Sequence, residues 1–150
     1  MGTFLDGRTS QNASKANSIS VATTSSQVLW GQVGLDVGAA NPSLPIRIQF
    51  EGTITLRLNA GSLNPFNTLE IRVVRGANAS DPIVYTAQKV LKTLDEGAPE
   101  MLTFVGSDYN PPKGAGFLIY TAFVRNITGS NESDVVRVGP ESFNVLAVGN

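Results

Sequence analysis

Neither cysteine nor histidine occurs among the 150 residues. Without them the chain has no disulfide, no thiolate or imidazole metal ligand, and neither the commonest general base nor the softest common nucleophile. Charge is sparse as well: eleven basic residues face twelve acidic ones, the net charge is −1, and no run of either sign forms. Such a chain is not drawn to a phosphate backbone or an anionic membrane, so no nucleic-acid partner is expected. No stretch approaches the roughly 20 apolar residues of a membrane-spanning helix, so no membrane insertion is expected either. Residues 1–17 are polar apart from Phe4 and Leu5 and lack the apolar centre of a secretory signal peptide.

What the sequence does have is alternation. From Pro45 to Leu58, the residues Ile46, Ile48, Phe50, Ile54, Leu56 and Leu58 alternate with polar ones, the pattern of a strand with one apolar and one wet face. Gly52 interrupts the apolar row and reads as a bulge or bend. Further strands are expected at Ser18–Thr24, Gln27–Val37, Thr68–Arg75, Ile83–Leu91, Met101–Val105 and Phe117–Val124. Val135–Val138 and Phe143–Val148 complete the set, with Gly139-Pro140 as a kink between them. In the second of these, Val28 and Trp30 are assigned to one face and Leu29, Val33 and Leu35 to the other. Gly97 and Pro99 leave no room for a helix between Leu91 and Glu100, and that segment reads as a loop. About eight antiparallel strands with turn signals at regular spacing predict a jelly-roll β-sandwich over 18–150, preceded by an extended arm at 1–17. An immunoglobulin-like sandwich is the rival fold.

The search for chemistry returns little. Ser142 lacks a Gly-x-Ser-x-Gly elbow and reads as a strand serine. Asp95, Glu96, Glu100 and Asp108 are near enough in sequence to be weighed as a glycosidase pair, which needs two carboxyls roughly 5–9 Å apart across a cleft; solvated turn carboxylates are the plainer reading. They form no Asp-x-Asp-x-Asp-Gly calcium loop. Gly114-Ala115-Gly116 precedes an apolar strand and reads as a hairpin turn, not a phosphate cradle. Sequons at Asn12, Asn78, Asn126 and Asn131 reflect an Asn- and Ser-rich composition. The chain is therefore expected to be non-enzymatic, with no catalytic residue, no cofactor and no metal. Tyr109, beside two prolines, is the one aromatic kept as a glycan contact, since the other aromatics named as strand residues are better explained by burial.

Two features point to assembly. The arm carries Phe4, Leu5, Asp6 and Arg8, residues that could fill a pocket or complete a sheet edge on a neighbouring subunit. Val74, Val84, Val90, Val136 and Val138 fall on faces that alternation assigns to the outside, and gathered together they would mark a contact surface.

The strands Thr68–Arg75, Gly116–Val124 and Val136–Phe143 resemble, in texture and spacing, small jelly-roll proteins of the bacterial spore surface, the exosporium and endospore-appendage proteins of spore-forming Firmicutes. The resemblance spans about Ser18 to the C-terminus. It implies a subunit made without a signal peptide and built, with copies of itself, into a fibre or layer at a cell or spore surface. The N-terminal cysteines of appendage subunits and the Gly-x-y tract of collagen-like spore filaments are missing here, so covalent linkage is not implied. A phage or viral structural protein and a carbohydrate-binding module are the alternatives.

Overall fold

The computed structural model describes residues 2–62, 64, 66–92, 96–128 and 134–149, in which nine strands are found. They are β1 (Thr3–Ala13), β2 (Val21–Ala22), β3 (Val28–Asp36), β4 (Ile46–Leu58), β5 (Phe66–Arg75), β6 (Ile83–Lys92), β7 (Pro99–Tyr109), β8 (Phe117–Asn126) and β9 (Val135–Gly149). One antiparallel sheet runs β1-β9-β4-β7, with the short β2 beside the start of β9; the other runs β3-β8-β5-β6. The protein is a jelly-roll β-sandwich. Inward side chains of the two sheets form one core in which Trp30, Phe50, Tyr120 and Phe143 are the largest fully buried groups.

Alternation placed β4 to within a residue, and the structure revises several details around it. Gly52 is no bulge: β4 pairs without a break from Arg47 opposite Tyr109 to Arg57 opposite Pro99. Its missing side chain makes room instead, because a Cβ there would lie 2.5 Å from the Phe104 ring and 2.8 Å from Trp30. β3 does carry a bulge, between Leu29 and Gly31, where the extra residue turns Trp30 into the core beside Val33 and Leu35 rather than against them. β7 runs to Tyr109, well past Val105, and the two closing strands are one, β9, with an irregularity at the cis peptide Gly139-Pro140, where its register with β4 shifts between Ile54 and Leu56.

The proposed valine surface is not present as such. Val74, Val136 and Val138 are buried and Val84 packs against the core, leaving Val90 exposed. Val74 sits at a register shift between β5 and β6. The first half of β9 is flanked in the sheet by β2, and the segment before β2 packs against it at Gly139, where a Cβ would meet the Lys15 carbonyl oxygen at 2.7 Å and Ala13 at 3.1 Å. Simple alternation cannot foresee a register shift or a segment that packs from elsewhere in the chain.

The N-terminal segment is extended, as expected, and Thr3–Ala13 run along β9 as the outermost strand of the first sheet. The boundary expected at 17/18 thus falls inside the sandwich. Exposed polar side chains on both faces of β1 hide it from any hydrophobic pattern, and its pairing is supplied by the backbone of β9.

Candidate functional site

Three of the four carboxylates weighed for catalysis, Glu96, Glu100 and Asp108, have partners of their own. Asp108 points inward from β7, where Arg75 donates to it through Nε at 2.7 Å and Nη2 at 2.9 Å, and the Tyr120 hydroxyl donates at 2.8 Å. This buried knot ties β7 in one sheet to β5 and β8 in the other. Glu100 pairs with Lys89 across the β6–β7 side at 2.6 Å, and Glu96 accepts from the Gly61 amide. Asp95 lies outside the described residues, as does the Asn131 sequon. Ser142 is a strand residue opposite Gln11 and Thr53. Among the described residues no cluster of three or more Asp or Glu could hold a metal.

The knot has a consequence at alkaline pH. Burial, and then the hydrogen bond to Asp108, push the Tyr120 phenol far above the usual tyrosine range. Its contribution to stability is full below the unfolded-state value of about 10 and is lost as pH rises toward the folded-state value, because only the unfolded chain ionises readily. Between about pH 10 and 12 the urea midpoint should therefore fall. In Tyr120→Phe, which starts from lower stability at pH 7, the decline over that range should be shallower; an equal slope in both proteins would contradict the assignment.

The outer face of the first sheet gathers most of the residues picked from the sequence. Phe4, Val148, Arg47 and Tyr109 form one row across β1, β9, β4 and β7. Tyr109 is 66% exposed, and the Arg47 guanidinium lies 5.9 Å from its ring centre. Phe4 is exposed at the opposite end, its ring beside Gly7. Below the row lies a shallow trough of about 350 Å³, lined by Arg8, Thr9, Gln49, Glu51, Asn144 and Leu146 among others. Of the four arm residues, Phe4 and Arg8 face solvent. Leu5 packs onto the core, and Asp6 accepts from the Asp36 amide of β3 at 2.8 Å. That backbone hydrogen bond, with help from Arg8, holds the Asp6 carboxyl below its usual range.

The outer face of the second sheet is by contrast engaged with itself. Glu70 accepts from Gln27 at 2.8 Å and from Arg72 and Arg125 at 3.0 Å each. Burial pushes its carboxyl up, but these hydrogen bonds and charges outweigh it and leave the group below the usual range.

The sheet edges differ in the same way. Edge strands present unpaired N–H and C=O groups, and soluble proteins guard them with charge or cover. On the β1–β3 side, Asp6 and Ser10 of β1 cap the β3 amides of Asp36 and Gln32. β6 carries Lys89 and Lys92. β7 is the last strand of its sheet among the described residues, and its outward row is Met101, Thr103, Val105, Ser107 and Tyr109, all exposed and none charged. Met101 is 60% and Val105 63% exposed. Sequence reasoning stopped this strand at Val105 and so missed the row, although its period of two was visible through Tyr109.

Fold and surface together define a jelly-roll sandwich that presents, among the described residues, an uncharged outward row along the terminal strand β7 and a shallow trough on the same face. No family model and no curated protein matches the chain. Among solved structures it is similar to an insecticidal delta-endotoxin, Cry8Ea1 of Bacillus thuringiensis, at 14% identity and TM-score 0.43, covering 85% of this chain and 19% of that one. It therefore spans about a fifth of the endotoxin. It is also similar to the CBM22-1 xylan-binding domain of Paenibacillus barcinonensis Xyn10C (16% identity, TM-score 0.36, 99% and 86% covered). Cowpea mosaic virus, as an empty virus-like particle, is a third (12% identity, TM-score 0.33, 100% and 80% covered). Likenesses this distant carry no function.

Proposed function

We propose that this chain is a non-catalytic structural subunit that assembles with copies of itself into a fibre or layer at a cell or spore surface. One observation carries the reading: among the described residues β7 has a strand on one side alone, and its outward row from Met101 to Tyr109 is uncharged. The terminal strands of the second sheet are capped (β3) or carry lysines (β6), so the uncharged row of β7 marks a place where another strand is received. The texture of the sequence, similar to spore-surface jelly rolls, supports the setting.

A second reading rests on the trough, where Gln49, Glu51 and Asn144 could hydrogen-bond a sugar beside Tyr109. Coiled or stacked aromatic platforms are scarce there, which places it second.

Light scattering and negative-stain microscopy of the purified protein test both. The wild-type chain should form species larger than a monomer at micromolar concentration, and Val105→Lys should weaken association about 100-fold or more, since a lysine is the natural guard of an edge. A wild-type monomer at every concentration overturns the assembly reading; if that monomer also binds oligosaccharides through Glu51, the second reading replaces it.

A further inference from the structure

We propose that β7 pairs with β7 of a second copy, antiparallel, about a twofold axis through Val105. This rests on the assembly reading above and names its contact. The parity of the strand decides the register. Asn110 N–H donates to the Ile46 carbonyl at 2.8 Å, and β4 and β7 pair residue for residue from there inward. In an antiparallel ladder, hydrogen-bonded pairs alternate with non-bonded ones. Residues 108, 106, 104 and 102 therefore turn their backbone groups to β4. Residues 101, 103, 105, 107 and 109 turn theirs to the free edge, and these same residues carry the exposed side chains.

A second β7 must then pair odd residue with odd residue. Centred on Val105, the row meets itself as Val105 with Val105, Thr103 with Ser107, and Met101 with Tyr109. Each is a favourable cross-strand match: aliphatic with aliphatic, hydroxyl with hydroxyl, thioether with aromatic ring. About ten backbone hydrogen bonds become available, two for each of the narrow pairs. Moving the axis to Thr103 brings Pro99 into the ladder, and moving it to Ser107 brings in Pro111, each without an N–H to give. Val105 is the one centre that uses the whole row and neither proline.

Charge permits the pairing. The nearest outward carboxylate, Glu51, sits on β4 beside Val105. Two copies of it would stand about 14 Å apart, three strand spacings, beyond the screening length of about 8 Å at physiological salt. The two first sheets would join into one continuous sheet through β7, with the outer faces of both copies on the same side. A twofold contact closes on itself, so it makes the dimer, and further growth into a fibre or layer needs a different surface.

The absence of cysteine makes the register directly testable. In the paired state the Val105 Cα atoms lie about 5.5 Å apart, inside the span of a disulfide. The two Met101 positions are eight residues out of step, about 27 Å apart. Under mild oxidation Val105→Cys should form a disulfide-linked dimer on the order of 100-fold faster than Met101→Cys, because pairing raises the local thiol concentration from micromolar to millimolar. The double variant Met101→Cys/Tyr109→Cys should regain rapid cross-linking. Faster cross-linking by Met101→Cys than by Val105→Cys overturns this register. Equal slow rates for all three, in a protein whose wild type still assembles, overturn β7 pairing and leave the assembly reading standing. A wild type that never leaves the monomer removes both.

Discussion

Replacing Glu141 by alanine should cost about 3–5 kcal/mol of folding stability, the penalty for stranding a buried charge. Glu141 is 0% exposed and its partner Arg137 3%. Arg137 Nε donates to Oε2 at 2.9 Å; Arg137 Nη2 and Asn12 Nδ2 both donate to Oε1. The carboxylate therefore binds β9 to itself across Gly139-Pro140 and draws in the end of β1. Without it, the buried guanidinium keeps its full charge and loses the carboxylate that pairs with it. Domains of this size hold only about 5–15 kcal/mol in total, so a large share of the stability goes. The urea midpoint measures the loss. Arg137→Leu/Glu141→Leu, which removes both charges, should lose much less than Glu141→Ala. A double variant as unstable as the single one would show that the cost lies in packing and not in the stranded charge.

Much of this architecture was legible in the sequence because a half-buried strand writes its burial into its residues. β4 is the clear case: its apolar row faces the core, and in its first half Arg47, Gln49 and Glu51 face water, as the sequence shows. The failures share a cause. β1 has no apolar row, since its hold on the sheet comes from backbone hydrogen bonds to β9, which leave no mark on side-chain choice. Asp108 broke the reading of β7 because a buried carboxylate looks like a turn residue until Arg75 and Tyr120, far away in sequence, are seen to neutralise and bond it. Val136 and Val138 read as exposed, yet both are buried, in the part of β9 that β2 flanks and the chain before it packs against at Gly139, a long-range packing that alternation does not record. The candidate site was half visible. Tyr109 was singled out, but its place at the end of an uncharged edge row follows from strand order, and strand order is a long-range property. Phe4, Leu5, Asp6 and Arg8 were grouped by nearness in sequence, whereas a strand sends neighbours to opposite sides: Leu5 toward the core, Phe4 and Arg8 toward solvent.

The same bulge that misled the reading of β3 sets the second large effect. By pushing Trp30 inward, it places the largest side chain of the protein, 2% exposed, edge-on to Phe104 and Phe143 with both centroids at 6.1 Å, over the hollow left by Gly52. Trp30→Ala empties that hollow and should cost about 3–5 kcal/mol, the usual range for a large aromatic removed from a core. Trp30→Phe should cost far less than its lost volume suggests. The buried indole N–H finds no acceptor among the described residues, so phenylalanine deletes an unsatisfied donor along with the ring it removes. Thermal or urea unfolding of the two variants, side by side, separates the contributions. If Trp30→Phe falls as far as Trp30→Ala, the ring's fit over Gly52 dominates. A small loss for both would mean that the bulge relaxes and the core closes over the gap, and that Trp30 does not organise the centre of the sandwich.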